Sequence, residues 1–261
     1  MHSVRLRSPS DFAGWREGAR TLLRSNVSPD NVTWNVDGES GSLFDFGSDT
    51  IKVDDLLTAP VGSGGFRVPR TFIQLAMRVA LHRDPTRFGL LYRLLWRLQH
   101  ERGLLAFAMD EDVVRATRMA QAVRREVHKM KAFVRFRETP IRQQRWLIAW
   151  FEPEHHIVEA VAPFFVRRFT NECWSILTPE RSAHWDRQTL RFGPKAERNA
   201  APRHDAAEAL WLSYYASIFN AARLKFDTMR GHIPQRYWRN LPEAALIPEL
   251  VAQASSRTEQ M

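Results

Sequence analysis

The side chains best suited to acid–base chemistry lie in two short segments and at one separate position. Glu154 and His155 belong to a Glu-Pro-Glu-His-His motif, His184 and Asp186 flank a tryptophan further along, and His128 lies in a basic stretch. Imidazole and carboxylate groups transfer protons near neutral pH and also bind metal ions. We therefore treat these five residues as candidate catalytic residues.

The spacing of these residues is not specific to one chemistry. Neighbouring side chains on a helix point about 100° apart, so His155 and His156 cannot both bind one metal ion without distortion. Carboxylates at a helix N-terminus also stabilise the helix dipole without any catalytic role. A structural role in hydrogen bonding is therefore an alternative to catalysis for these residues. We expect neither a bound metal nor another cofactor.

Positive charge is concentrated in one part of the chain. The 261 residues include 38 Lys and Arg against 29 Asp and Glu, a net charge of +9. Between Val113 and Leu147, ten Lys and Arg stand against only Glu126 and Glu138, so this stretch carries +8. Phosphate is the polyanion that such charge most often meets, and interleaved aromatic rings suit base stacking. A solvated helix face is the alternative.

A second basic and aromatic segment runs from Arg223 to Arg239. Basic residues beside aromatic rings fit phosphate contacts next to a platform for a base. Packing of long side chains along a helix is the alternative. The predicted nucleic-acid-binding residues from both segments and from the helix between them are Arg124, Arg125, Lys129, Phe133, Arg135, Arg137, Arg168, Lys225, Trp238 and Arg239. The predicted partner is DNA, single- or double-stranded.

The elements that position these residues follow from hydrophobic periodicity. Helical spacing predicts helices from Phe12 to Leu23 and from Thr71 to His82, another after Asp84-Pro85, and a long basic helix that Asp110 opens. Alternating residues predict a short strand over Val32 to Val36.

After the basic helix, the hydrophobic residues alternate with a period of two, which is typical of β-strands. Strands are predicted over Ala132 to Arg137, Trp146 to Phe151, Trp174 to Leu177 and Thr189 to Phe192. A helix opened by Pro153 and kinked at Pro163 separates the second and third strands. The fold class is therefore α+β, with a small, mostly antiparallel β-β-α-β-β sheet flanked by N- and C-terminal helices.

We expect a single domain over residues 1–254, followed by a frayed tail over 255–261. Its parts are an N-terminal helix and variable loop region (1–66), a helical part (67–131), the sheet unit (132–192) and C-terminal helices (205–254). Cys173 is the single cysteine and is predicted to be a small buried side chain. With no signal peptide and no long apolar run, a cytoplasmic location is expected.

Several long motifs resemble an uncharacterised bacterial domain family. They are HKMKAFVRFR (128–137), WFEPEHHIV (150–158), PFFVRRF (163–169), WSILTPERS (174–182) and YWRNLPE (237–243). Family members occur beside a radical-SAM protein of DNA modification or repair, or fused N-terminally to a uracil-DNA glycosylase-like domain that captures uracil in DNA. The chain is expected to lack that fused domain.

The resemblance implies a role in DNA metabolism or repair and a radical-SAM partner, without implying a reaction or a catalytic residue. Three hypotheses follow: a DNA-binding accessory protein, an enzyme acting directly on nucleic acid, or a protein–protein adaptor without DNA contact. The partner would supply an iron–sulfur cluster, because one cysteine cannot ligate one. An adaptor would expose an apolar patch, for which Trp211, Tyr214 and Tyr215 are candidates.

Overall fold

The computed structural model divides the chain into two compact units. The first comprises Met1–Glu126 and Glu154–Ile157, and the second comprises Val127–Pro153 and Val158–Met261. Within them, the described residues are 1–37, 51–52, 68–141, 144–201, 235–238 and 241. The C-terminal helices predicted over 205–254 (apart from residues 235–238 and 241) and the aromatic residues Trp211, Tyr214 and Tyr215 lie outside the described residues.

A parallel sheet opens the first unit. Strand β1 (His2–Leu6) lies between β2 (Val32–Val36) and β3 (Ile51–Lys52) and runs parallel to both. Helix α1 (Phe12–Arg24) connects β1 to β2. The bounds of β2 agree with the prediction, whereas β1 and this sheet were not predicted, because β1 offers only two alternating apolar residues.

Helix α1 packs closely on this sheet. Its N-terminus is capped by Asp11, whose Oδ1 accepts a hydrogen bond from the Gly14 N–H at 2.8 Å. A Cβ at Gly18 would lie 2.8 Å from Val4 Cγ1, so glycine permits the close approach of helix and strand. Trp15 is fully buried, and its Nε1 donates to the Phe88 carbonyl at 3.2 Å.

Three further helices contribute to the core of this unit and to the candidate site. They are α2 (Arg70–Val79), α3 (Arg87–Arg97) and α4 (Glu111–Phe133), and all three were predicted. Asp110 caps α4, because its Oδ1 accepts from the Val113 N–H at 3.1 Å. Helix α4 begins in the first unit and ends in the second.

The second unit contains a five-stranded sheet whose strands are paired in chain order. They are β4 (Arg137–Ile141), β5 (Gln144–Trp150), β6 (Cys173–Leu177), β7 (Ser182–Trp185) and β8 (Leu190–Gly193). All neighbours are antiparallel except β5 and β6, which α5 (Val158–Arg168) connects in parallel. A four-residue helix, α6 (Gln235–Trp238), follows. The predicted α+β class with a mostly antiparallel sheet is confirmed.

Two local predictions in this unit were wrong. The strand predicted over Ala132 to Arg137 is the end of α4 followed by coil, and β4 starts only at Arg137. The Val134 N–H still bonds to the Met130 carbonyl at 3.2 Å, so the apolar alternation there spans a helix end. Strand β7 lies between the predicted strands Trp174 to Leu177 and Thr189 to Phe192, where no strand was predicted, and it pairs with β6 as an antiparallel hairpin. Cys173 is buried in β6, as predicted.

No helix among the described residues is long and apolar enough to cross a membrane.

Candidate nucleic-acid interface

An open cleft of about 680 Å³ lies along α4 in the first unit. One stripe of the helix lines it, because Val114, Arg118, Ala122 and Arg125 follow each other at intervals of three or four residues. His82 from the segment after α2 also lines the cleft. Three of the lining residues are arginines and two are carboxylates, so the lining has an excess of positive charge.

The arginines of the cleft differ in how they are held. Arg115 Nη2 donates to Asp84 Oδ2 at 3.0 Å and to Thr86 Oγ1 at 2.5 Å, so this side chain forms part of the wall. Burial raises the pKa of Asp84, but hydrogen bonds from Thr86 and Arg115 bring it below its ordinary value. Arg118 and Arg125 are exposed and make no hydrogen bond or ion pair with any residue that the structure describes.

The rings of two histidines lie against each other beside this cleft. The ring centroids of His82 and His155 lie 4.4 Å apart with an angle of 32° between the rings. The Nδ1 atom of His82 accepts from the Asp84 N–H at 3.1 Å, and that of His155 accepts from the Arg83 N–H at 3.4 Å. An imidazole that accepts at Nδ1 carries its proton on Nε2 when it is neutral.

Both imidazoles are neutral at pH 7. Burial, and to a smaller extent the neighbouring His82, lower the pKa of His155 to about 4. Burial also lowers the pKa of His82, against the opposing effect of Asp84. Each ring can therefore donate a hydrogen bond from Nε2, whereas it can accept a proton at Nδ1 only after the backbone hydrogen bond there breaks.

The segment that carries His155 is fixed by main-chain hydrogen bonds. Buried Glu126 accepts from the Glu154 N–H at 2.9 Å through Oε1, and the His156 N–H donates to the Leu81 carbonyl at 2.9 Å. The predicted candidates Glu154 and His155 thus lie with His82, which the sequence analysis did not select. Glu126 was also missed, although its place on the buried stripe of α4 beside Val123, Val127 and Met130 gave a signal.

The remaining predicted catalytic residues lie in the second unit, where His184 and Asp186 have separate partners. His184 Nδ1 is 2.8 Å from Ser175 Oγ, and burial lowers the pKa of His184. Asp186 Oδ1 accepts from the Thr189 and Gln188 N–H groups at 2.7 and 3.0 Å. These backbone hydrogen bonds, that of Thr189 first, lower the pKa of Asp186. His128 is exposed on α4.

The predicted nucleic-acid-binding residues on α4 are partly accessible. Arg124 and Arg125 are exposed, and Lys129 is half-buried. The ring of Phe133 stacks on Tyr237, with centroids 6.4 Å apart and an angle of 27°. One face of Phe133 is therefore covered by the protein itself.

The predicted nucleic-acid-binding residues that follow α4 also interact with other residues of the second unit. Arg135 Nη1 donates to the Ala132 carbonyl at 2.8 Å, and the Arg168 guanidinium lies 5.9 Å from the centroid of the Phe169 ring. Arg137 in β4 is half-buried and pairs with Ile148 in β5. Trp238 is half-buried, while Lys225 and Arg239 lie outside the described residues.

Among the residues that the structure describes, no group of three or more His, Cys, Asp or Glu side chains is placed to hold a metal ion.

Comparison with known proteins identifies one domain family. No curated protein and no solved structure matches the chain. The domain of unknown function DUF4130 matches residues 85–243, which is more than half of the chain. The match takes in α3, α4 and the whole five-stranded sheet, and with them Arg118, Arg125 and His155. The chain therefore belongs to the DUF4130 family.

Proposed function

We propose that the protein binds DNA through the phosphate backbone and serves as an accessory protein of DNA repair or modification. Arg118, Arg124 and Arg125 on α4 provide the main contacts. The observation that carries the proposal is the pair Arg118 and Arg125, which line one cleft without a carboxylate partner among the described residues.

Helix geometry supports this use of α4. Arg118 and Arg125 are seven residues apart, which places them about 10 Å apart along the helix axis and almost on the same side. A guanidinium donates several N–H groups in a fixed fork that matches phosphate oxygens. The helix backbone therefore presents two phosphate-binding side chains at a fixed spacing.

The proposal includes a radical-SAM protein as the working partner, as the family resemblance implies. The chain contains one cysteine, Cys173, and this thiol is buried in β6. A cluster for radical chemistry must then come from the partner. Co-purification of the two proteins tests this part of the proposal separately from DNA binding.

DNA binding is tested by fluorescence anisotropy with labelled single- and double-stranded oligonucleotides at two salt concentrations. Removing the side chain that neutralises one phosphate reduces the slope of log K against log salt by about 0.9 for duplex DNA. Replacing Arg118, Arg124 and Arg125 together by glutamine is expected to reduce that slope by about two to three.

The matched control replaces Arg16, Arg20 and Arg24 of α1, which are exposed and make no ion pair with the described residues. It removes the same charge and is expected to leave the slope nearly unchanged. An equal decrease in both variants would show that only net charge matters. Absence of binding to either form of DNA at low salt would refute the proposed function.

The adjacent imidazoles of His82 and His155 favour a second candidate, an enzyme acting directly on nucleic acid. Each neutral ring beside the cationic cleft can donate from Nε2, and it can act as a general base at Nδ1 once the backbone hydrogen bond there opens. Incubation of labelled DNA with the protein, with and without the His155→Gln substitution, tests this candidate. Unchanged DNA after prolonged incubation counts against it.

A further inference from the structure

We infer that the first-unit cleft is a binding site for a phosphomonoester, the terminal phosphate of a nucleotide. This inference deepens the proposed function and rests on it, because it specifies which phosphate the cleft takes. Arg118 and Arg125 hold the phosphate oxygens, and His82 donates a further hydrogen bond.

The charge of the cleft favours a terminal phosphate over an internal one. A phosphomonoester carries about −1.5 to −2 at pH 7, whereas a phosphodiester carries one negative charge. Arg118 and Arg125 are two cations with no carboxylate partner among the described residues, while Arg115 is already engaged by Asp84. Glu111 is the second carboxylate of the lining, and the guanidiniums of Arg118 and Arg125 can still pair with both negative charges of a dianion.

The shape of the helix surface lets the two guanidiniums converge. Ala122 lies between Arg118 and Arg125 on the same stripe of α4, and its methyl group leaves space between the longer side chains. Two flexible arginine side chains can then approach one anion from opposite sides. A larger residue at position 122 would fill this space.

His82 adds a neutral donor at the cleft. Its Nδ1 accepts from the Asp84 N–H, so the proton of the neutral ring is on Nε2. A neutral donor binds a phosphate oxygen and adds no charge. It also keeps the site usable over the whole pH range in which the ring is uncharged.

The remainder of the cleft fits the nucleoside part of the ligand. Its volume of about 680 Å³ falls in the range of sites for small molecules. Val114 and Met119 provide an apolar wall on α4 next to the arginines. A sugar or base attached to the phosphate can pack there, which inorganic phosphate cannot do.

The test compares one oligonucleotide sequence in three forms, labelled at an internal base: without terminal phosphate, with a 5′-phosphate and with a 3′-phosphate. Anisotropy titrations are made with the wild-type protein and with the double variant Arg118→Gln, Arg125→Gln. Calorimetric titration with a deoxynucleoside monophosphate, the parent nucleoside and inorganic phosphate separates a free nucleotide from a polynucleotide end.

One terminal phosphate is expected to tighten binding at least about tenfold in the wild type, a difference of about 1.4 kcal/mol. The double variant should lose this preference. The control Arg16→Gln, Arg20→Gln on α1 should keep it. Because all the substituted side chains are exposed, the variants are expected to remain folded, which circular dichroism checks.

The other outcomes separate the two proposals. If all three oligonucleotides bind equally, the terminal-phosphate site is wrong while the proposed DNA binding stands. If no oligonucleotide binds but the monophosphate binds with the same dependence on Arg118 and Arg125, the site is right and its ligand is a free nucleotide. If neither binds, both proposals are wrong.

Discussion

The imidazole rings of His82 and His155 lie against each other with their centroids 4.4 Å apart, and each ring accepts a backbone hydrogen bond at Nδ1. The two donors, Asp84 and Arg83, belong to the short segment between α2 and α3. Protonation of either ring at Nδ1 breaks one of these hydrogen bonds and places a positive charge against the other ring. The pair therefore couples the fold of the first unit to pH.

Stability is expected to fall as pH decreases from about 6.5 to about 4. Burial lowers the pKa of His155 from 6.5 to about 4, so between these values the unfolded chain binds more protons than the folded one. The full shift corresponds to about 3 kcal/mol. Urea unfolding at pH 7 and pH 5 measures the decrease, and His155→Gln should reduce it.

His128→Gln is the control for this measurement, because His128 is exposed on α4 and makes no hydrogen bond or ion pair with the described residues. It should leave the pH dependence of stability unchanged. If His155→Gln shows the same decrease in stability between pH 7 and pH 5 as the wild type, a group other than His155 causes it.

Local sequence patterns predicted the elements whose stability is local. The bounds of α1 and β2 follow from one amphipathic stripe, the Asp11 cap and a short alternation. The alternation over Ala132 to Arg137 misled, because six residues of apolar period two are also compatible with a helix end. Strand β7 depends on its pairing with β6 and had no local signal of its own.

The candidate site was predicted only in part. Concentrated charge pointed to Arg125, and the Glu-Pro-Glu-His-His motif pointed to His155. The sequence offered no reason to connect His155 with His82, because the two lie in distant segments that meet only in the folded chain. The selection of Arg118 required knowing which face of α4 borders a cleft.

Arg87 is expected to be essential for the stability of the first unit. The side chain is fully buried, and it donates to the carbonyls of Ala80, Asp84 and Pro9 at 3.1, 3.1 and 2.8 Å. Arg87→Leu removes all three side-chain donors, so the Ala80 and Pro9 carbonyls lose their hydrogen bonds to Arg87 while the Asp84 carbonyl keeps only the Arg87 main-chain N–H at 3.2 Å. The free energy of unfolding, measured with urea, should fall by at least about 3 kcal/mol.

Arg87→Lys retains the charge but not the fork that reaches three carbonyls, so it should recover only part of this stability. Arg83→Leu, an exposed position in the same segment, should change stability by less than about 0.5 kcal/mol. A decrease below about 1 kcal/mol for Arg87→Leu would contradict the structural role of the Arg87 guanidinium.

Asp112 is expected to couple energetically to Arg93. Its two carboxylate oxygens accept from Arg93 Nε at 2.9 Å and Nη2 at 2.5 Å, a bidentate pair between α3 and α4. These hydrogen bonds lower the pKa of Asp112, so their contribution is present above the ordinary value of 3.8 and is lost as pH falls below it.

Since Arg93 is partly exposed, a double-mutant cycle of Arg93→Gln and Asp112→Asn should give a coupling of about 1 kcal/mol or less at pH 7. The coupling should decrease in 1 M salt, because the pair is partly accessible to solvent. Additive effects of the two substitutions at low salt would show that the pair makes no net contribution.

We expect that only glycine fits at position 193 without strain, because the His184 side chain lies close to it in the five-stranded sheet. A Cβ at Gly193 would lie 2.8 Å from His184 Nε2, closer than such atoms approach. His184 cannot move away without lengthening its 2.8 Å hydrogen bond to Ser175 Oγ. Gly193→Ala should therefore lower the free energy of unfolding by roughly 1 to 2 kcal/mol.

A double-mutant cycle with His184→Ala tests whether the clash with His184 causes the loss of stability in Gly193→Ala. Removing the imidazole makes room for the new methyl group, so Gly193→Ala should cost little in that background, a coupling of about 1 kcal/mol. The matched control is Gly89→Ala, since a Cβ there meets nothing within 4 Å. In helix α3 this change should stabilise by about 0.5 to 1 kcal/mol. An equal cost of Gly193→Ala with and without His184 would place the requirement for glycine in the backbone of β8.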